Sequence, residues 1–195
     1  MSRGGVRGPK AGPAHRLGVH SYDDWDDHRQ LFRARFRGCY LSEVVDITWQ
    51  WCRFGELRPE ELYAVVRLRE GVFVVEQNCP YPDADGRDPR AWHLLGWQES
   101  EKERILAAYA RVFEPGIRYA EASIGRVVTA QAVRGTGVGR KLMAEALRRV
   151  DALVPGEKIK LAAQRRLEEF YAAFGFTTVS APYEEDGIIH IDMVR

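Results

Sequence analysis

Arg134-Gly135-Thr136-Gly137-Val138-Gly139 stands between a β-branched run, Ser123-Ile124-Gly125-Arg126-Val127-Val128-Thr129, and a stretch of helical periodicity. In that stretch Val138, Leu142, Met143, Ala146, Leu147, Val150 and Leu153 share one side, while Lys141, Glu145, Arg148 and Arg149 take the other. A strand, a glycine-rich turn and a helix start together make an anion site. Glycines let backbone N–H groups come close to a ligand, and the first helical turn adds unpaired donors and the positive end of the dipole. The natural guest is a phosphate or pyrophosphate. Spacing removes two of its usual carriers. A dinucleotide fingerprint counted from Gly135 puts Arg140 where its third glycine belongs, and Gly139-Arg140-Lys141-Leu142 fails a Walker loop at both final positions. What remains is R-x-x-G-x-G on Arg134, Gly137 and Gly139, a pattern that a plain tight bend also produces.

That spacing resembles the acetyl-CoA pyrophosphate loop of the GNAT family of N-acetyltransferases. Further on, 158–164 reads as a short strand, and Leu167, Phe170, Tyr171 and Phe174 as a short amphipathic helix ended by Gly175. Tyr171-Ala172-Ala173-Phe174-Gly175-Phe176 is similar to the family's Y-x-x-x-G-F signature. The resemblance implies that the Tyr171 hydroxyl lies near the CoA sulfur and protonates the departing thiolate. Read only among Phe170, Phe174 and Phe176, Tyr171 is equally a packed core aromatic. A third segment is more specific. Arg69-Glu70-Gly71-Val72-Phe73-Val74-Val75-Glu76-Gln77-Asn78-Cys79-Pro80-Tyr81 closely resembles the R-x-x-V-F-V-V-E-Q-x-C-P-Y segment of ElaA-type GNAT proteins, and His93-Leu94-Leu95-Gly96-Trp97 and the ending 183–191 continue the match. The likeness covers about 47–195.

Composition bounds the remaining choices. With 195 residues, 45% of them hydrophobic, the chain can bury one sizeable core. Lys and Arg total 29 against 28 Asp and Glu, which gives no global case for nucleic acid as a partner. No apolar run approaches the roughly 20 residues that cross a bilayer, so no membrane partner is expected either. Cys39, Cys52 and Cys79 are few and odd in number, which points to reduced thiols and a cytoplasmic location. No metal is expected: there is no C-x-x-C, and a calcium loop counted from Asp83 meets Leu94 at its twelfth position instead of glutamate. The expected assembly is a monomer or homodimer.

The chain divides near residue 46. Residues 1–20 hold five glycines, two prolines, four basic residues and no carboxylate, and 1–46 read as a flexible extension with a basic run at 29–37. Residues 47–195 read as the catalytic domain. Strands are expected at 47–54, 92–98, 104–113, 121–130, 158–164, 176–181 and 188–194, and helices at 59–70, after the loop, and at 165–174. Three consecutive strands imply antiparallel neighbours, and the later strand–helix–strand order implies a parallel pair reached by a right-handed crossover. The fold class is α/β: a mixed, mostly antiparallel sheet of about seven strands flanked by helices, as the GNAT resemblance also requires.

If acetyl-CoA is the cosubstrate, the chemistry is acyl transfer from a thioester to an amine of a small molecule or peptide by direct attack. A lysine-type amine, with a pKa of about 10.4, must first lose a proton to a positioned base or ordered water. Pyrophosphate contacts are expected from Arg134, Gly135, Thr136, Gly137, Val138, Gly139 and Arg140. Val127, Val128 and Thr129 are expected to pair with the pantetheine arm, with an oxyanion donor around Val128, which needs a sheet splayed beside that strand. Glu76, placed after an apolar run where desolvation raises a carboxyl pKa, and His190, on a strand with Ile188 and Asp192, are the candidates for the base. His93 has the same status with less support. Arg69, Phe73, Gln77 and Tyr81 are assigned to the acceptor, Arg69 either to a carboxylate or to a helix end. Asp83, Asp85 and Asp88 either attract a cationic amine or shape their loop. The alternative function is a non-catalytic CoA-binding regulatory module.

Overall fold

Alternating apolar residues organise eight strands into one sheet: β1 (Thr48–Arg53), β2 (Trp92–Glu99), β3 (Arg104–Phe113), β4 (Ala122–Thr129), β5 (Ile159–Gln164), β6 (Thr177–Thr178), β7 (Tyr183–Glu185) and β8 (Ile188–Val194). The computed structural model describes residues 46–99 and 104–195. The expected N-terminal extension therefore lies, but for its last residue, outside the described residues. The strands run in the order β1-β2-β3-β4-β5-β8-β6, and β7 also pairs with β8. Every pairing is antiparallel except β4–β5. The count exceeds the expected seven because Tyr183–Glu185 folds back on β8 around Asp186-Gly187, whose φ angles of 50° and 77° suit a tight hairpin.

Helices cover both faces. On one, α1 (Pro59–Arg69) lays Val65 against Leu95, Trp97, Leu106, Tyr109 and Val128. On the other, the apolar stripe of α2 (Val138–Leu153) buries Val138, Leu142, Met143, Ala146, Leu147 and Val150 against β3 and β4. Short α3 (Glu168–Ala172) adds Tyr171 to that core. Pro59 sits at the first turn of α1, where its missing N–H costs nothing, and the Glu61 carboxylate accepts the Arg58 amide at 2.9 Å.

One expected feature is overturned. Residues 71–75, read as a buried apolar run, continue α1 as a wider π-type helix, Glu70–Glu76, in which no residue is buried and Val75 is 75% exposed. β-branched Val72, Val74 and Val75 pack poorly in a tight α-helical turn. In the widened turn Val72 and Phe73 are half-buried against the Val65 cluster, while Val75 faces solvent.

Below it lies a buried ionic network. Arg69 follows Val65 by one turn, so its guanidinium points inward; Nε lies 2.7 Å from Asp83, Nη1 2.8 Å from Asp88, and Nη2 donates to the Asp83 carbonyl at 2.9 Å. Arg111, fully buried in β3, meets Asp85 through two contacts of 2.7 Å and Asp88 at 2.8 Å. Arg126 in β4 completes the set, its Nε 2.7 Å from Asp83. Three arginines thus face three aspartates, so the buried charge is compensated. His93 is buried beside them, 2.8 Å from the Tyr109 hydroxyl and 3.1 Å from the Asp88 carbonyl, and burial pushes its pKa down. Its role is structural.

Against the cost of their own burial, the Arg69, Arg111 and Arg126 guanidiniums hold Asp85 and Asp88 below the ordinary carboxylate range. A carboxylate whose folded pKa is depressed contributes stability that is present above its unfolded value of about 3.9 and is lost as pH falls through and below that value. Arg111→Met, which leaves two buried carboxylates short of a partner, should cost about 3–5 kcal/mol at pH 7. In urea titrations the penalty should shrink towards pH 3. A penalty independent of pH would show that the network does not act through these charges.

Candidate active site

The parallel strands β4 and β5 pair only at Ala122–Ile159 and Ser123–Lys160. Beyond Ser123 they part, and a cleft of about 480 Å³ opens between the ends of β4 and β5. Gly125–Thr129 line one wall; Leu161, Ala162 and Gln164 line the other. A splay of this kind beside 123–130 is what the expected pantetheine pairing needs.

The register of β4 decides which backbone groups face the gap. The Ala130 amide donates to the Ala107 carbonyl at 2.8 Å, and the pairing continues through Thr129–Ala108 and Val128–Tyr109. Antiparallel ladders alternate, so Val128 turns its amide towards β3 while Thr129 turns away from it. Next comes a bulge, where Arg126 and Val127 together oppose Ala110 and Arg126 takes a φ of 51°. A non-glycine residue rarely adopts that angle, and Arg126 is held there through its side chain by Asp83. The donor expected around Val128 is thereby narrowed: Val128 gives its amide to β3, Thr129 turns to the open side, and Val127 lies in the bulge, outside the regular ladder. Val128 still lines the cleft.

At the end of β4 the chain enters the glycine turn. Gly135 and Gly137 have φ angles of 81° and 86°, and the Gly137 carbonyl receives the Arg140 and Lys141 amides at 3.0 and 3.2 Å. Val138 and Gly139, in the first turn of α2, have no acceptor within the helix. Gly135, Gly137, Gly139 and Arg140 border a recess of about 320 Å³ next to Thr129 and Phe170. Thr136 points its hydroxyl back to the Val133 carbonyl at 2.7 Å and so fixes the turn.

Tyr171 reaches the cleft from α3. Its ring packs edge-on to Phe170 and Phe176, and its hydroxyl has no hydrogen-bond partner among the described residues. Burial alone pushes the phenol up to about 12, so it is protonated at neutral pH. Tyr171 is thus both a packed core aromatic and part of the cleft wall.

The other expected residues divide. Phe73, Gln77, Tyr81, Glu76 and His190 all line the cleft. Gln77 accepts from Gln164 at 3.1 Å, and the Tyr81 hydroxyl lies 3.4 Å from Asp83. His190 has Nδ1 2.9 Å from the Ile188 carbonyl, with its ring against Tyr183. Arg69 does not reach the cleft; its three nitrogens are spent on Asp83 and Asp88. Those aspartates are likewise committed to arginine, so the loop does not offer a cluster of free negative charge.

Glu76 holds Arg134 in a bidentate pair at 2.6 and 2.8 Å. That hydrogen bonding lowers the Glu76 pKa, the reverse of the expected rise, because the helix turn leaves the carboxyl exposed rather than desolvated. Sequence reasoning also passed over Arg87, Arg118 and Arg126, all of which line the cleft. For Arg126 no local signal existed, since its bulge arises from the unequal register of β3 and β4.

Comparison with known proteins adds an independent line. The Acetyltransferase (GNAT) domain profile matches residues 98–195. A UPF0039 protein of Synechocystis is 45% identical over 150 residues, covering 77% of this chain and 96% of its own. Escherichia coli ElaA is 44% identical over 151 residues, covering 76% and 96%. The crystal structure of that ElaA superposes with a TM-score of 0.71, covering 77% of this chain and 99% of its own at 43% identity. An acyl-CoA N-acyltransferase from Pseudomonas aeruginosa gives a TM-score of 0.72 at 39% identity with the same coverage. The forked sheet, the glycine turn and these relatives agree: the chain belongs to the GNAT acetyltransferase family, beside ElaA and the UPF0039 proteins, and is an acyltransferase.

Proposed function

We propose that the protein is an N-acetyltransferase that uses acetyl-CoA and moves the acetyl group to an amine by direct attack. The observation that carries this reading is the fork between β4 and β5, with the glycine turn at one end of the β4 edge and a lone buried phenol facing it. An exposed strand edge binds an extended, amide-bearing chain through its backbone, as a pantetheine arm requires. The recess beside Gly135, Gly137 and Gly139 suits the pyrophosphate, with Arg140 adding charge. Arg134 joins it only by leaving Glu76. The relative from Pseudomonas aeruginosa is described as an acyl-CoA N-acyltransferase, which supports the same class.

Each step then has a residue of this chain. The Val127 amide, freed by the bulge, donates to the carbonyl oxygen as charge develops there. Tyr171 donates to the leaving sulfur. His190 accepts the amine proton: an N–H at Nδ1 donates to the Ile188 carbonyl, which leaves Nε2 with the lone pair of the neutral ring. Glu76, ionised and paired with Arg134, is not the base in this scheme. An unpartnered phenol buried at the cleft favours turnover over a purely regulatory CoA-binding module, which needs no donor there. Cys52 and Cys79 are free thiols, which supports a reducing, cytoplasmic setting.

Tyr171→Phe should lower kcat about a hundredfold in a thiol-release assay while calorimetry shows unchanged acetyl-CoA affinity. Unchanged turnover would remove Tyr171 from the reaction. For the turn, wild-type protein with acetyl-CoA at a hundred times its Kd should gain about 2.7 kcal/mol of stability. Gly137→Val forces a β-branched residue to a φ of 86° and should abolish that gain. Retained stabilisation in the variant, folded by circular dichroism, would place the ligand elsewhere.

A further inference from the structure

We infer that the acceptor is an amine that also bears a carboxylate, and that Arg118 binds that carboxylate. This deepens the proposed acetyl transfer and rests on it. The charged lining of the cleft differs between its walls. Arg87, Arg118 and Arg126 belong to the side of β4 and the 83–88 loop, where Asp85 is held by Arg111, while Glu185, Asp186 and His190 belong to the β7–β8 hairpin; Arg134 and Arg166 also line the cleft, bonded to Glu76 and Gln164. A zwitterion matches this division, its ammonium towards the hairpin and its carboxylate towards the arginines.

Among the arginines, Arg118 alone is uncommitted. Arg126 is bound to Asp83, and Arg87 lies 3.6 Å from Asp85. Arg118 is half-buried and makes no hydrogen bond or ion pair among the described residues. Its charge rests 5.1 Å from the Tyr119 ring centre, and Nη1 lies 3.6 Å from where a Cβ on Gly125 would stand, over the backbone of β4. The nearby carboxylate of Asp192 is already taken by Lys160 at 2.8 Å and by the Tyr183 hydroxyl at 2.9 Å. A guanidinium presents up to five donors in a planar fork that fits a carboxylate through two parallel bonds. With no protein acceptor engaged, that fork is open to a ligand carboxylate in the cleft. The carboxylate-binding role that the sequence offered to Arg69 thus belongs to a residue nearly fifty positions later.

The test is a thiol-release panel on the full chain: leucine, methionine and aspartate, the C-terminal amides of the same amino acids, and spermidine, each with acetyl-CoA. Free amino acids should exceed their amides in kcat/KM by about ten- to a hundredfold, as expected for a charged hydrogen-bonded pair. Arg118→Gln should erase that preference through KM, and Arg118→Lys should restore part of it, with thermal stabilisation by acetyl-CoA retained in both. Preference for the amides or spermidine, or an Arg118→Gln variant that still discriminates, would overturn the assignment while leaving acetyl transfer standing. Release with no amine of any kind would sink both.

Discussion

A parallel strand pair that stops after two residues is the constraint on which this molecule is built. Backbone groups inside a sheet are normally paired on both sides, and an unpaired edge invites another chain to complete it. Here the edge lies at the centre of the sheet, between strands buried by helices on both faces, so it is shielded from other proteins yet open to a slender extended ligand. The bulge at Arg126-Val127 and the glycine turn after Thr129 act on the same strand, within about ten residues. One strand therefore presents hydrogen-bonding groups along its length and leads into the glycine turn at its end, with no further element needed to relate the two.

The strand holds that shape because the ionic network fastens it from below. Arg126 occupies a backbone angle costing of order 1–3 kcal/mol, which only a surrounding structure that over-determines it can maintain. Asp83 supplies that restraint, and is itself fixed by Arg69 from α1. Asp85 and Asp88 are fixed by Arg111 from β3. The 83–88 loop is thus a clamp joining helix, sheet and bulge. Replacing such a network by apolar residues can preserve stability in principle, but apolar side chains would not set the angle at Arg126. Positioning, not stability alone, is what the charges supply.

Much of this was legible in the sequence, and the exceptions share a cause. Strand and helix positions follow from apolar spacing; the splay beside 123–130 was only a requirement of the acyl-carrier reading, since no residue pattern marks where two parallel strands part. The fate of Glu70–Glu76 did not, because an apolar β-branched run reads as buried whether it enters a core or roofs a cleft. Arg69 was misjudged for a related reason: it sits one turn after Val65 on the inward stripe, a placement that already demands buried carboxylates. Arg111 carried the same message, a lone arginine in the apolar strand from Leu106 to Phe113. Two inward arginines and three clustered aspartates pointed to one another. Side-chain pairing across 26 residues has no local signature, so charge balance within the core was the clue available. Arg118 had none, since its significance lies in what its neighbours are already doing.

The pKa of Tyr171 also constrains how the phenol works. A thiol ionises near 8.5, whereas burial places the phenol at about 12. Measured against a thiol in water, complete proton transfer from Tyr171 to the departing thiolate would thus be unfavourable. A hydrogen bond that strengthens as negative charge gathers on sulfur has no such penalty, and in a cleft with little water it is stronger than in solution. The proton that finally reaches sulfur then has a better source in the amine, passed through His190. In this scheme the two sides of the fork divide the work: the β4 edge and Tyr171 stabilise the charge that leaves carbon, and the β7–β8 hairpin removes the charge that arrives with nitrogen.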